Sequence, residues 1–250
     1  MKVVTIFNNK GGVGKTTLTF HLGSILAELG KKILLIDMDP QCNATSGLAI
    51  ESERGIYEVL VDQIPLSEAI KETKITGLKI APATMNLAGA AVELVNIDNR
   101  EFVLRQSVME VSSNFDYILI DCPPSLGLIT INSLIAADDI LIPVQAEYYA
   151  LEGLGKLLGT IELIKENIKP ELNVLGAVVT MYDKRNNLAD QVKQDLIENF
   201  PYKVFKTIIP RNVRITEAPS HGLPISEYDR YSKGGIAYEM LAQEILDTRQ

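Results

Sequence analysis

Residues Lys10-Gly11-Gly12-Val13-Gly14-Lys15-Thr16-Thr17 follow an apolar run at 3–7 and precede leucines at helical spacing. A glycine-rich loop therefore lies between a strand and a helix, which restricts the chain to folds that deliver a helix N-terminus to an anion. Gly11, Gly12 and Gly14 lack a Cβ, so backbone N–H groups can converge on a phosphate, and the helix dipole adds positive charge. At this spacing Lys15 is expected to reach the β- and γ-phosphates, and the Thr16 hydroxyl to complete a Mg²⁺ shell. The loop is a variant of the strict motif: Asn9 stands where glycine is usual, and Lys10 adds a second cation. Two neighbouring ammonium groups repel unless polyphosphate lies between them.

The remaining pattern predicts an α/β fold: a mainly parallel twisted sheet flanked by helices on both faces, in one domain over residues 1–250. Leu18, Leu22, Ile25, Leu26 and Leu29 recur at helical spacing and Gly30 ends the pattern. Continuous apolar runs at 33–36, 117–120, 140–144 and 174–179 read as strands covered on both faces. Helical patterns at 101–111, 126–137, 151–168, 188–200 and 236–247 alternate with them, as in a parallel sheet. Residues 49–76 read as two short helices divided by Pro65, and 208–233 carry few periodic cues.

Two strands end in carboxylates. Asp37-Met38-Asp39-Pro40 follows the run at 33–36, and Asp121-Cys122-Pro123-Pro124 follows 117–120. Ligands in open parallel sheets bind at this strand edge. Asp121 fits a carboxylate that holds Mg²⁺ through water, and Asp39 fits a residue that orients the attacking water beside the same metal. Asp37 is open between metal support and a structural role. A lone Asp after a strand is more often a turn or cap residue, but these stand with Lys15 and Thr16.

Composition narrows the partners. The formal net charge of −8 argues against a generally basic surface, so nucleic-acid binding would need a local patch. No run approaches the roughly 18 apolar residues of a membrane span, and no signal-peptide pattern opens the chain, so a cytoplasmic protein is expected. Cys42 and Cys122 form no CxxC or Cys/His cluster, which favours reduced thiols over zinc or a disulfide framework. His21 and His221 lack a nucleophile signature around them and read as structural or exposed, and Tyr148-Tyr149 reads as a packing or interface pair.

Lys10 to Thr17, Asp37-Met38-Asp39-Pro40-Gln41, Asp121-Cys122-Pro123-Pro124-Ser125 and Pro210-Arg211-Asn212-Val213-Arg214 together resemble the ParA/Soj/MinD ATPases with a deviant Walker A loop. The likeness spans nearly the whole chain, and the segment from Ile215 to Gly222 points to the short ParA/Soj branch without an N-terminal helix-turn-helix. The resemblance implies an ATP-sandwich homodimer in which Lys10 crosses to the partner's nucleotide. ATP and Mg²⁺ are the implied cofactors, and catalysis would fall to Lys10, Lys15 and Asp39. Pro210, Arg211 and Asn212 would join the phosphate loop in binding ATP. Asn9 and Cys42 depart from residues common in the family, Gln and Gly respectively.

In the short branch, nonspecific DNA binding is assigned to positions that match Arg185 and Arg214, with Lys184 as a neighbour. The resemblance also implies a ParB-like or cargo-adaptor protein that stimulates hydrolysis, nucleoid association, and segregation or positioning of a cargo. The alternatives are a non-DNA cargo, such as a carboxysome or chemoreceptor cluster, and a MinD-like membrane ATPase. The acidic end at 239–250 lacks the basic amphipathic face the latter needs. A cluster-binding relative of nitrogenase iron protein would need other cysteines.

Overall fold

The structure, a computed structural model, describes residues 1–147 and 150–248, with the side chains of 150–152 outside the description. The Tyr148-Tyr149 pair therefore lies outside the described residues. Seven strands form one sheet: β1 (Lys2–Ile6), β2 (Ile33–Asp37), β3 (Lys71–Glu72), β4 (Leu78–Ala81), β5 (Tyr117–Asp121), β6 (Asp139–Gln145) and β7 (Asn173–Thr180). Their order is β3-β4-β2-β5-β1-β6-β7, and every pairing except β3 with β4 is parallel.

Side chains alternate across the pleat, so one apolar strand feeds two cores. Leu34 and Ile36 point to one face with Ile118 and Ile120, whereas Ile33 and Leu35 point to the other with Leu119. The first face is covered by helices Val103–Val111, Leu128–Ala136, Ala150–Asn167 and Asn187–Asn199. The second is covered by Lys15–Glu28 and Lys233–Asp247, through Leu18, Leu22, Ile25, Tyr238 and Leu241.

Each expected strand is present to within a residue or two. Leu29 is exposed rather than core, because the first helix ends at Glu28. The stretch 49–76 does hold short helices on either side of Pro65, Ile56–Leu60 and Leu66–Ala69, but it also contains β3. β4 and the helix Leu87–Glu93 carried no strong pattern, being short and buried by neighbours distant in sequence.

Both margins of the sheet are finished. β3 is a two-residue strand of charged residues, and segment 203–211 runs along β7. Along β7 the backbone of Ala177 bonds Lys203 and Phe205 at 2.8 and 2.9 Å, and the Ile209 N–H donates to Val179 at 2.9 Å. Gly176 permits this approach, since a Cβ there would stand 2.6 Å from the Lys203 carbonyl oxygen.

Candidate nucleotide site

β1 ends beside β5, with Ile6 opposite Asp121, and β2 lies on the other side of β5, with Asp37 opposite Asp121. The register thus brings the phosphate loop and both carboxylate motifs to one sheet edge. Here a cleft of about 810 Å³ is lined by Gly11, Gly12, Gly14, Lys15, Thr16, Thr17 and Asp39. Gly12 and Gly14 have φ of 74° and 89°, conformations that L side chains rarely adopt. Gly14 directly precedes the helix, and its carbonyl accepts the Leu18 N–H at 2.8 Å.

Two polar residues anchor the loop from outside the motif. Asn8 accepts the Lys10 N–H at 3.0 Å and donates to the Pro143 carbonyl at 2.8 Å. Thr180 donates to the Val13 carbonyl at 2.9 Å. Val13 itself is buried and does not line the cleft.

The two lysines occupy different settings. Lys15 is 6% exposed, its Nζ donates to the Lys10 carbonyl at 3.0 Å, and burial pulls its pKa down against the opposing pull of Asp121, Cys122 and Asp39. The Lys10 side chain is 36% exposed and its Nζ lies 3.6 Å from the Glu147 carboxylate. Lys10 does not line the cleft.

The carboxylates also separate by environment. Asp37 accepts the Thr45 N–H and hydroxyl at 2.9 and 2.7 Å and the Asp39 N–H at 3.1 Å, so it organises the turn. Burial raises its pKa to about 6. Asp39 accepts the Gln41 N–H at 2.9 Å and faces the cleft. Asp121 is fully buried, with Oδ1 3.4 Å from the Thr19 hydroxyl and Oδ2 without a hydrogen-bond partner among the described residues. Burial, reinforced by Asp37, holds its pKa well above the usual carboxylate range, and the nearby Thr16 side chain opposes that.

The orphaned Asp121 oxygen beneath Thr16 fits a Mg²⁺ shell reached through water. Among the described residues no cluster of three or more His, Cys, Asp or Glu could hold a metal. Mg²⁺ suits such a site, because it commonly keeps several waters and takes few protein ligands.

Pro210, Arg211 and Asn212 do not line this cleft; its outer wall is Gln41, Asn43, Met181, Pro219 and Ser220. Asn212 is engaged as a helix N-cap, its Oδ1 2.9 Å from the Arg214 N–H, and Pro210 bridges to Tyr182. Sequence reasoning held Gln41, Pro219 and Ser220 within its motifs without assigning them to the wall, and it missed Asn43 and Met181, which carry neither a charge nor a motif. His21, read as structural or exposed, is structural and buried, with partners the sequence did not reveal: Nδ1 accepts the Ile225 N–H at 3.1 Å and Nε2 lies 3.1 Å from the Ile215 carbonyl. That pattern fixes the proton on Nε2 and ties the loop carrying Pro219 and Ser220 to the phosphate-loop helix.

The candidate DNA residues are exposed, and the two arginines are paired. Arg185 forks onto Asp183, with Nε–Oδ1 at 3.0 Å and Nη2–Oδ2 at 2.7 Å. The Arg185 guanidinium holds the Asp183 carboxyl below the usual range. Arg214 Nη1 lies 3.1 Å from Glu217, and its Nε 3.5 Å from Asp229. Lys184 is exposed.

A glycine loop at a strand–helix junction, a buried lysine beneath it and carboxylates at the adjoining strand ends define a phosphate-loop nucleotide-binding protein. The AAA domain family model matches residues 1–174. The chain is 51% identical over 247 residues to the sporulation initiation inhibitor protein Soj of Bacillus subtilis (strain 168), covering 98% of each. It is 46% identical over 245 residues to the chromosome-partitioning ATPase Soj of Treponema pallidum (strain Nichols), covering 98% of this chain and 97% of that one. Among solved structures, the cobyrinic acid a,c-diamide synthase of Mycobacterium smegmatis with bound ATP analog and magnesium superposes with a TM-score of 0.86 at 34% identity, covering 98% and 94% of the two chains. The chain belongs to the ParA/Soj family of ParA/MinD ATPases and is a partitioning-type ATPase. None of the described helices is long and apolar enough to cross a membrane.

Proposed function

We propose that this chain is a Mg²⁺-dependent ATPase, working as one ATPase domain, whose copies close in pairs around ATP, bind DNA nonspecifically and segregate or position a cargo. The observation that carries this reading is the split between the two loop lysines, one buried under the phosphate cradle and one at the surface beside Glu147. Lys15 is placed to neutralise phosphate in its own pocket. Lys10, directed outward, is free to serve a second copy's pocket once Glu147 releases it.

Catalysis then rests on positioning and electrostatics. Backbone N–H groups of Gly11 to Thr16 cradle the phosphates, and Asp39 aligns the attacking water. Thr16 and Asp121 would hold Mg²⁺, which when bound offsets charge on the transferring phosphoryl group. Pro210 to Asn212 would meet the base beyond the cleft wall. Arg185, Lys184 and Arg214 would meet DNA phosphates, without base reading. A ParB-like or cargo-adaptor protein is the expected partner that stimulates turnover.

Light scattering with ATP and Mg²⁺, paired with a duplex-binding assay and a liposome sedimentation assay, tests the proposal. The expected result is an ATP-dependent dimer that binds duplex and ignores liposomes. A persistent monomer, or binding to liposomes in place of duplex, would overturn it.

A further inference from the structure

Both arginines assigned to DNA contact are already holding carboxylates, and Arg185 does so in the geometry it would offer a phosphate. The Arg185 guanidinium presents Nε and Nη2 as a parallel fork to the two Asp183 oxygens, the bidentate arrangement that guanidinium groups also make with phosphate. The Arg185 side chain is otherwise 89% exposed. Arg214 divides its donors between Glu217 and Asp229, and the Tyr228 hydroxyl lies 3.2 Å from the same Glu217 oxygen that Arg214 holds. The two clamps are neighbours in the fold: the Arg211 N–H donates to the Tyr182 carbonyl at 2.9 Å, and the Arg211 charge is felt at Asp183.

We propose that Asp183 and Glu217 act as internal phosphate surrogates, which occupy Arg185 and Arg214 in the free chain and restrict that face to multivalent polyphosphate such as duplex DNA. The inference rests on the DNA-binding reading above and adds its regulation. An exposed ion pair is weak, so a phosphate can displace it. The carboxylate is intramolecular, however, and a free anion must compete with its high effective concentration. A duplex competes better, because it presents many phosphates at once and releases counterions on binding. Two chains held together multiply the threshold as well as the grip. An acidic protein thereby keeps exposed arginines without attracting every small anion.

Asp183→Asn retains an Oδ1 acceptor for the Arg185 N–H, and Glu217→Gln retains one for Tyr228, so both substitutions remove charge with little disturbance of the turns. Each is to be compared with wild type and with Glu68→Gln, an exposed acid in the helix Leu66–Ala69 next to β3, at the other margin of the sheet. The readout is fluorescence anisotropy of a random-sequence duplex with the full chain, ATP and Mg²⁺. Asp183→Asn and Glu217→Gln should each tighten binding ~3-fold per protomer, ~10-fold in a pair, against less than about 2-fold for the control. The Asp183→Asn gain should vanish in an Arg185→Ala background. A gain no larger than that of Glu68→Gln, or one that survives without Arg185, overturns the surrogate role while leaving DNA binding intact. Failure of wild type and both variants to bind duplex at low salt overturns the DNA-binding reading itself.

Discussion

The Lys15 ammonium donates to the Lys10 carbonyl at 3.0 Å, so the buried cation of the phosphate loop is held in place by the loop it serves. Lys15 is already buried in the loop, and that burial lowers its pKa. Lys15→Gln is expected to abolish ATP binding or turnover, as read by calorimetry and phosphate release.

Lys10→Gln should behave differently. Its side chain lies outside the cleft, so nucleotide affinity should survive largely intact, while ATP-dependent dimers and duplex binding are lost. Light scattering of the variant with ATP checks this: normal dimers would remove the trans contact.

Asp39→Ala should leave ATP bound and slow hydrolysis by about 10²-fold or more, the range of positioned proton-transfer groups. The variant should then remain as a dimer on duplex with ATP. Turnover and duplex dissociation, measured together, separate this outcome from simple loss of nucleotide binding.

Acid should weaken the fold through His21. Burial lowers its pKa from 6.5 to about 4, so as pH falls the unfolded chain takes up the proton first. The contribution is complete above pH 6.5, declines toward pH 4, and amounts to on the order of 3 kcal/mol. Asp37 runs the other way, since its pKa of about 6 lies above the ordinary 3.8 and the folded state holds the proton between them. Urea unfolding of wild type and His21→Asn isolates the imidazole: the wild-type advantage should narrow between pH 6.5 and 4.

Cys42 sits at φ 55° and ψ 30°, a left-handed conformation that disfavours a Cβ. Cys42→Gly should stabilise the chain by about 0.5 kcal/mol, the strain relief exceeding the added unfolded-state entropy. Cys42→Val should cost ~1–2 kcal/mol, because β-branching suits that region poorly. Thermal unfolding of the pair tests the sign of each change.

The strands and the phosphate loop were legible because their signals are local. Continuous apolar runs mark strands buried on both faces, and a glycine loop before helical leucines has few other uses. Asp39 and Asp121 were legible from their places at strand ends. The antiparallel β3 and the short β4 were not, since two to four residues carry too little periodicity and their pairing is decided by distant neighbours. The same holds for His21, whose partners Ile215 and Ile225 lie about 200 positions away. Asp183 and Glu217 carried no signal in the sequence, and it is the fold that puts them against arginines.

The finished margins of the sheet bear on how many copies can gather safely. With charged β3 ending one side and 203–211 shielding the other, neither flank offers a long bare ladder for a stranger's strand. Crowding at one spot in a cell should therefore leave these molecules free to disperse again, instead of knitting them into a fibre.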